Sequence, residues 1–229
     1  MIIGLIFLLL FLSIIYALYH KFNKKPHIYK YFYTTHEICP SLYNIHNYRH
    51  KIYHEVYDLK QYTWINWPEK NLYENSGTWK IFPFYAFNRW DMDNCKKCPT
   101  IYNFLMTIPN LKTASLSKLS PGMKLNQHRG WGSYSNHVIR CHYGIIVPDN
   151  CYISVTRNNI EKKQYHKQFK WLIFDDSELH YAENKSNYDR IVLIIDVKRP
   201  SNIRTGNSEI GDTSELLEIA NHFRNKNIN

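Results

Sequence analysis

Short runs rich in β-forming residues dominate the chain from residue 113 onward. Turns with glycine or polar clusters separate the runs, which cover 113–119, 123–128, 137–147, 151–157, 170–174 and 190–197. Alternation with a period of two is typical of β-strands. Several short strands without intervening helices predict a mainly β domain with an antiparallel barrel or sandwich.

Three segments outside these runs predict flanking elements. Lys80–Tyr85 reads as a strand inside the aromatic stretch 64–87, whose rings are expected mainly in the core. Pro99–Ile108 predicts a short helix that starts with proline and ends before the next one. The tail Thr213–Lys226 has an apolar stripe and predicts an amphipathic helix on the outside of the barrel.

Residues 1–18 contain no charged side chain. At about 1.5 Å per residue, such a helix just crosses a roughly 30 Å hydrocarbon core. A cleaved signal peptide is the alternative, but this segment lacks the basic start and the small-residue cleavage site. We therefore expect a single-pass membrane protein with a transmembrane helix at 1–19, followed by a tether and lead-in at 20–61, the β domain at 62–200, and a loop with the terminal helix at 201–229.

The side of the membrane on which the domain lies stays open. Basic residues follow the apolar segment at Lys21, Lys24 and Lys25, and the positive-inside rule then favours the cytoplasm. An Asn184-Lys185-Ser186 glycosylation sequon would matter only for a lumenal domain.

Composition narrows the range of partners. The chain of 229 residues carries a formal net charge of +10. Its lysines are dispersed and no zinc-finger or basic-region pattern is present, so we expect no nucleic acid partner and favour an anionic membrane surface. The five cysteines are an odd number in a chain too large to depend on disulfides, which predicts reduced thiols. Cys95 and Cys98 have CxxC spacing without a second pair, and a surface loop is their default interpretation.

Two histidines and an arginine carry the candidate chemistry. Imidazoles at His128 and His180 suit Fe(II), and Arg190 suits the far carboxylate of a 2-oxoacid that chelates the same metal. Arg190 opens a run that is apolar on both faces, so its guanidinium needs an anion or open water. The alternative is that Arg190 forms a structural ion pair with Asp175, Asp176 or Asp189.

The run 137–145 points two further polar residues to one face. Arg140 and His142 are two residues apart and therefore share a side of the strand, whereas Ile139, Cys141 and Tyr143 take the other side. A strand whose outer face contacts solvent would show the same pattern. This run alone therefore does not decide between a polar site inside the fold and a solvent-exposed face.

Four blocks together resemble the aspartyl/asparaginyl β-hydroxylase family. The blocks are 117–130, 140–148, 173–180 and 190–200, and the resemblance covers roughly residues 62–200. It implies a double-stranded β-helix, a cupin-like jelly roll, and an Fe(II)- and 2-oxoglutarate-dependent dioxygenase that uses O₂.

The resemblance also implies roles for individual residues. It assigns His128 and His180 as iron ligands and sets Ser117, Arg140, His142 and Arg190 around 2-oxoglutarate. Gly130 stands where most oxygenases of this fold have the carboxylate of a His-x-Asp triad, and the family lacks that ligand.

Three functions remain open at this point. The family implies hydroxylation of the β-carbon of Asp or Asn in proteins. The blocks 79–82 and 127–130 also resemble the bacterial branch that hydroxylates the acyl chain of lipid A. A jelly-roll binding module without catalysis is the third. Trp131, Tyr134 and the stretch 64–87 are candidates for the substrate entrance, and the oligomeric state stays open.

Overall fold

A computed structural model describes residues 11–16, 28–73 and 78–225 of the chain. The chain divides into two compact units, Met1–Tyr29 with Ser201–Arg204, and Lys30–Pro200 with Thr205–Asn229. In the first unit, residues 11–16 are helical and Ile28 pairs with Ile203 in a parallel bridge. The second unit contains every strand and the candidate site.

The second unit is mainly β, as predicted. Its strands are β1 Phe32–Tyr33, β2 Ile65–Asn66, β3 Trp79–Ala86, β4 Arg89–Trp90, β5 Leu111–Leu119, β6 Val138–Ile146, β7 Cys151–Arg157, β8 Ile160–Tyr165, β9 Trp171–Phe174, β10 Leu179–Asn184 and β11 Arg190–Lys198. Its α-helices are α1 Thr35–Ile38, α2 Arg49–Asp58, α3 Met92–Lys97, α4 Pro99–Met106, α5 Gly132–Ser135 and α6 Ser214–Asn225. Three 3₁₀ helices cover Pro40–Tyr48, Leu59–Gln61 and Lys70–Leu72.

The strands form two antiparallel sheets. The larger has the order β1-β9-β6-β11-β5-β3-β2, with β4 beside β3, and the smaller has the order β10-β7-β8. Residues 124–128 extend the smaller sheet, because Lys124 bridges to Glu183 and His128 bridges to His180. The chain thus passes back and forth between the sheets, with the order β5-β11-β6-β9 in one and 124–128-β10-β7-β8 in the other. That order is the jelly-roll arrangement.

An apolar core fills the space between the two sheets. It includes Trp79 and Leu119 from the larger sheet, Ile153 and Val155 from the smaller, and Phe174 from β9. Helix α2 lies against β6 and α3 against β3, which covers the other face of the larger sheet. The candidate metal ligands His128 and His180 lie on paired segments of the smaller sheet.

Strand β8 of the β7–β8 hairpin was not predicted from the sequence pattern. Asn158 and Asn159 join the strands with φ of 47° and 60°, as a two-residue hairpin turn requires. Almost all of β8 is exposed and carries charged side chains, so it has no apolar face to detect. Hairpin geometry and backbone pairing to β7 define this strand.

Residues 30–61, expected as a tether and lead-in, belong to the same compact unit as the sheets. The 3₁₀ helix Pro40–Tyr48 and α2 bury Leu42, Ile45, Ile52 and Val56. Cys95 and Cys98, expected in a surface loop, are instead buried where α3 meets α4. Burial raises the pKa of Cys95 to about 12, so this thiol stays protonated at neutral pH.

The expected single-pass membrane location is overturned. Within residues 11–16, 28–73 and 78–225, no helix is long and apolar enough to cross a bilayer. The rest of segment 1–19 and the lysines Lys21, Lys24 and Lys25 lie outside the described residues.

Candidate active site

A backbone bridge between the two sheet segments brings His128 and His180 together. The amide of each residue donates to the carbonyl of the other at 2.9 Å, and the ring centroids are 4.4 Å apart. His180 is the second residue of β10, and His128 lies in the segment beside it. Antiparallel pairing of directly opposed residues places both side chains on the same face of the sheet.

The orientation of each ring is fixed by a carbonyl two residues earlier. Nδ1 of His128 lies 2.7 Å from the Asn126 carbonyl oxygen, and Nδ1 of His180 lies 2.8 Å from that of Glu178. A carbonyl accepts and cannot donate, so both Nδ1 atoms carry the proton. Each Nε2 therefore presents a lone pair, which is the form of histidine that binds a metal.

Burial keeps both rings neutral. It lowers the pKa of His128 to about 3, with the neighbouring His180 adding to the effect, and lowers the pKa of His180 to about 4. At neutral pH, protons do not compete for the two Nε2 atoms.

Arg140 lies beside the pair and is held by two carboxylates. Its Nε and Nη2 donate to the two oxygens of Asp196 at 2.9 Å, and its Nη1 donates to Asp176 at 2.5 Å. Asp176 also lies 3.4 Å from Nε2 of His180. Burial alone would lower the pKa of Arg140, but the carboxylates of Asp176 and Asp196 outweigh it and raise this pKa. The Arg140 charge is thus compensated within the protein.

Asp176 occupies the space that a side chain at Gly130 would need. A Cβ on Gly130 would lie 2.1 Å from Oδ2 of Asp176 and 2.8 Å from Cβ of Ser135. The Gly130 amide also donates to the Asp176 carbonyl at 2.9 Å. A carboxylate therefore stands next to the histidine pair, but it comes from the residue four before His180.

Arg190 has the opposite electrostatic environment to Arg140. Its side chain is 2% exposed, and neither Nε nor Nη1 has a hydrogen-bond partner among the described residues. Burial lowers its pKa to about 10, so the guanidinium remains charged at neutral pH. The structural pairs that the sequence allowed are taken elsewhere: Asp175 binds Arg199, Asp176 binds Arg140, and Asp189 lies 3.9 Å from Lys118.

A cavity that encloses about 350 Å³, open solvent included, joins the predicted site residues. Its wall includes His128, His180, Ser117, Arg140, His142 and Arg190. His142 is buried and its Nε2 has no partner in the described part of the chain, whereas the Ser117 hydroxyl accepts from Nε1 of Trp79 at 3.0 Å. The structure therefore gathers all six residues around one space that contains unused buried donors.

A second, larger cavity opens beside His128. It encloses about 930 Å³, open solvent at its mouth included. Its walls are mostly apolar and come from β3, β5, the stretch 128–135 and helix α6, through residues such as Trp67, Ile81, Tyr85, Leu216, Ile219 and Phe223. Trp79, His128 and Arg140 border both cavities. The entrance candidates Trp131 and Tyr134 also line this space.

A comparison with protein families matches residues 46–200 to the aspartyl/asparaginyl beta-hydroxylase model. The chain belongs to this family. The match starts before residue 62, so it takes in part of the segment expected as a lead-in. The resemblance inferred from the four sequence blocks is confirmed.

Similar proteins include a lipid acyl hydroxylase and a protein named for an aspartate beta-hydroxylase domain. An ornithine lipid ester-linked acyl 2-hydroxylase from Rhizobium tropici is 37% identical over 53% of this chain and 42% of its own length. Aspartate beta-hydroxylase domain-containing protein 2 from Xenopus tropicalis is 34% identical over 55% of this chain and 35% of its own. The aligned part thus spans less than half of each relative. A solved prolyl hydroxylase from Trichoplax adhaerens is 11% identical, with a TM-score of 0.48 over 68% of this chain and 80% of that chain.

The sequence analysis named six residues of the cavity wall. It did not predict that Asp176 and Asp196 both form ion pairs with Arg140. The acidic run 174–178 was visible, yet only the fold shows that Asp176 turns toward His180 while Asp175 turns toward Arg199. Asp196 sits in a run of apolar residues, and an acid inside a buried strand is itself a signal for a buried cation.

Gly130→Ala should destabilise the protein. The added Cβ would collide with the carboxylate of Asp176 and with Ser135, and overpacking of this kind costs about 1–3 kcal/mol. Chemical denaturation measures the loss in the free energy of unfolding. Gly211→Ala is the matched control, because nothing lies within 4 Å of its Cβ position. Equal stability of the two variants would contradict the packing described for Gly130.

The metal-free protein should lose stability as the pH falls below about 6.5. Burial lowers the pKa of His128, His142, His166 and His180, so the unfolded chain binds protons near the ordinary value of 6.5 and the folded chain does not. Stability is highest above pH 6.5 and declines as the pH falls toward 4, by about 1.4 kcal/mol per pH unit for each of His128 and His180, and His142 and His166 change it in the same direction. Urea unfolding at pH 7 and pH 5 measures the change. A free energy of unfolding that is equal at both values would contradict the described burial.

Proposed function

We propose that the protein is an Fe(II)- and 2-oxoglutarate-dependent hydroxylase with His128 and His180 as its iron ligands. One observation carries the proposal: two Nε2 lone pairs of fixed orientation border the same cavity as a buried arginine without a partner for Nε and Nη1. A metal suits the first feature and a carboxylate suits the second.

The donor set fits iron that shares its coordination with a cosubstrate. Within the described ranges, no group of three or more His, Cys, Asp or Glu side chains is arranged to hold a metal. Two imidazoles leave positions for a chelating 2-oxoacid and for O₂ or water. Iron, 2-oxoglutarate and O₂ together supply the oxidation that converts a C–H bond to C–OH, with succinate and CO₂ as the other products. The protein holds these groups and excludes bulk water.

The cavity fits the cosubstrate through its unused donors. Arg190 offers Nε and Nη1 for a carboxylate, and His142 offers Nε2 from the neighbouring strand. Ser117 borders the same space. The guanidinium of Arg140 is already neutralised by Asp176 and Asp196, so we assign it to orientation of the site and Arg190 to charge recognition.

The larger cavity supports an acyl chain as the group that is hydroxylated. Its charged wall residues are three acids, Glu69, Asp176 and Asp196, and two arginines, Arg129 and Arg140. Both arginines are engaged, since Arg129 donates to the Ser177 carbonyl and lies 3.6 Å from Glu178. An anionic side chain would meet an acidic excess there, whereas an apolar chain would meet aromatic and aliphatic walls. The lipid acyl hydroxylase among the relatives agrees with this choice.

Hydroxylation of Asp or Asn is the second candidate. It is favoured by the family to which the chain belongs and by the relatives named for an aspartate beta-hydroxylase domain. Incubation of the protein with Fe(II), 2-oxoglutarate and either a lipid extract or a peptide library separates the two by the substrate that gains one oxygen in mass. A gain confined to peptides would exclude the acyl chain.

His128→Ala and His180→Ala should each abolish substrate-dependent succinate formation, because each removes half of the protein ligands of the iron. His137→Ala is the control, since that side chain is exposed and lies outside both cavities. Succinate release measured with each variant tests the assignment. Full turnover by either of the first two would refute it.

Ile219→Trp should slow hydroxylation of long acyl substrates by about tenfold or more, because the larger side chain fills the apolar cavity. Leu217→Trp on the same helix is the control, since Leu217 is 57% exposed and is not part of the cavity wall. Initial rates with acyl chains of increasing length measure the effect. Equal rates for the two variants would mean that the acyl chain does not enter between β3 and α6.

A further inference from the structure

The buried side chain of His166 packs beside His142, a residue of the smaller cavity's wall. His166 directly follows β8, is 6% exposed and does not belong to the cavity wall. Its Nε2 lies 3.2 Å from Nδ1 of His142, and the two ring planes differ by 8°. The His166 amide donates to the Cys151 carbonyl at 2.8 Å, which fixes its position against β7. Phe174 packs edge-on against the other side of His142.

One hydrogen bond between two neutral imidazoles allows two arrangements. Burial lowers the pKa of both rings well below the ordinary value, so each carries one proton. If His142 donates from Nδ1, its Nε2 turns a lone pair toward the cavity and Nδ1 of His166 keeps a buried N–H. If His166 donates from Nε2, then His142 carries its proton on Nε2 and presents a donor to the cavity.

The surroundings favour the second arrangement. Nδ1 of His166 is buried without a hydrogen-bond partner among the described residues and lies outside the cavity wall, whereas His142 belongs to that wall. The second arrangement therefore leaves no N–H on the buried Nδ1 of His166 and places the unshared N–H at the cavity, where a ligand can accept it. An N–H on Nε2 of His142 also gives the cavity a second donor beside Arg190, whereas a lone pair there would repel a carboxylate.

We propose that His166 is a positioning residue that sets the tautomer of His142, so that His142 donates from Nε2 to a carboxylate of the cosubstrate. The role in cosubstrate binding rests on the proposed function, but the tautomer itself does not. His166 would act without touching the metal, the cosubstrate or the substrate. Arg190 supplies the charge in this scheme, and His166 makes the neighbouring imidazole a donor.

The tautomer can be read directly from the ring nitrogens. Two-bond ¹H–¹⁵N correlation spectra of the metal-free full-length protein distinguish protonated from unprotonated nitrogens, and the His142→Gln spectrum assigns the His142 signals. The proposal expects Nε2 of His142 to be protonated and Nδ1 to be unprotonated in the wild-type protein. His166→Leu should release this preference. A proton on Nδ1 of His142 in the wild-type protein would overturn the proposal.

Binding of 2-oxoglutarate provides the second readout. Titration calorimetry with Mn(II) in place of Fe(II) should give a dissociation constant about 10- to 100-fold higher for His166→Leu, the cost of a lost hydrogen bond to a charged group. His166→Gln retains an N–H donor near the Nε2 position and should restore most of the affinity, which simple loss of packing would not explain. Thermal unfolding checks that both variants are folded.

The outcomes separate this proposal from the proposed function. Unchanged affinity in His166→Leu, with normal binding by the wild-type protein, would overturn the role of His166 alone. Failure of the wild-type protein to bind 2-oxoglutarate at any accessible concentration would contradict the proposed function itself. In that case the nitrogen spectra still decide whether His166 sets the His142 tautomer.

Discussion

The site depends on the antiparallel bridge between His128 and His180. Two backbone hydrogen bonds of 2.9 Å hold the residues opposite each other, and a carbonyl at each Nδ1 turns the rings so that both Nε2 atoms present lone pairs. These bonds use main-chain atoms, so they follow from the register of β10 against residues 124–128. A shift of one residue in that register would turn one imidazole to the opposite face. The geometry of the candidate metal site is therefore a consequence of sheet pairing.

The two arginines at the site, Arg140 and Arg190, differ in how their charge is compensated. Asp196 binds Arg140 in a bidentate pair and Asp176 binds its third nitrogen, which leaves the cluster with one more acid than base. Arg190 lies on the neighbouring strand with two buried donors that the described residues do not satisfy. Because a buried cation without an anionic partner is costly, the environment of Arg190 supports the proposed carboxylate ligand. The carboxylate of Asp176 is compensated in the same way. It fills the space that the missing side chain of Gly130 leaves, and Arg140 is its cationic partner.

The sequence predicted the parts of the fold that have a one-sided apolar pattern. Strands β5, β6, β7, β9 and β11 and the helices α4 and α6 lie close to the predicted ranges, because each buries one face or both. The hairpin strand β8 was not predicted, since its charged residues are exposed and its position follows from the Asn158–Asn159 turn. The acidic partners of Arg140 were also missed, because the run 174–178 contains three acids and their directions depend on the turn before β10. His166 carries no motif of its own, and only its distance to His142 gives it significance.

The central claim is that iron binds through Nε2 of both histidines while 2-oxoglutarate lies against Arg190. A crystal structure of the full chain prepared without oxygen, with Fe(II) and 2-oxoglutarate, tests this most directly. The account predicts one iron bonded to Nε2 of His128 and Nε2 of His180, with a cosubstrate carboxylate hydrogen-bonded to Arg190 and His142. Iron bound at any other position, or a cosubstrate that leaves Arg190 without a carboxylate partner, would contradict it.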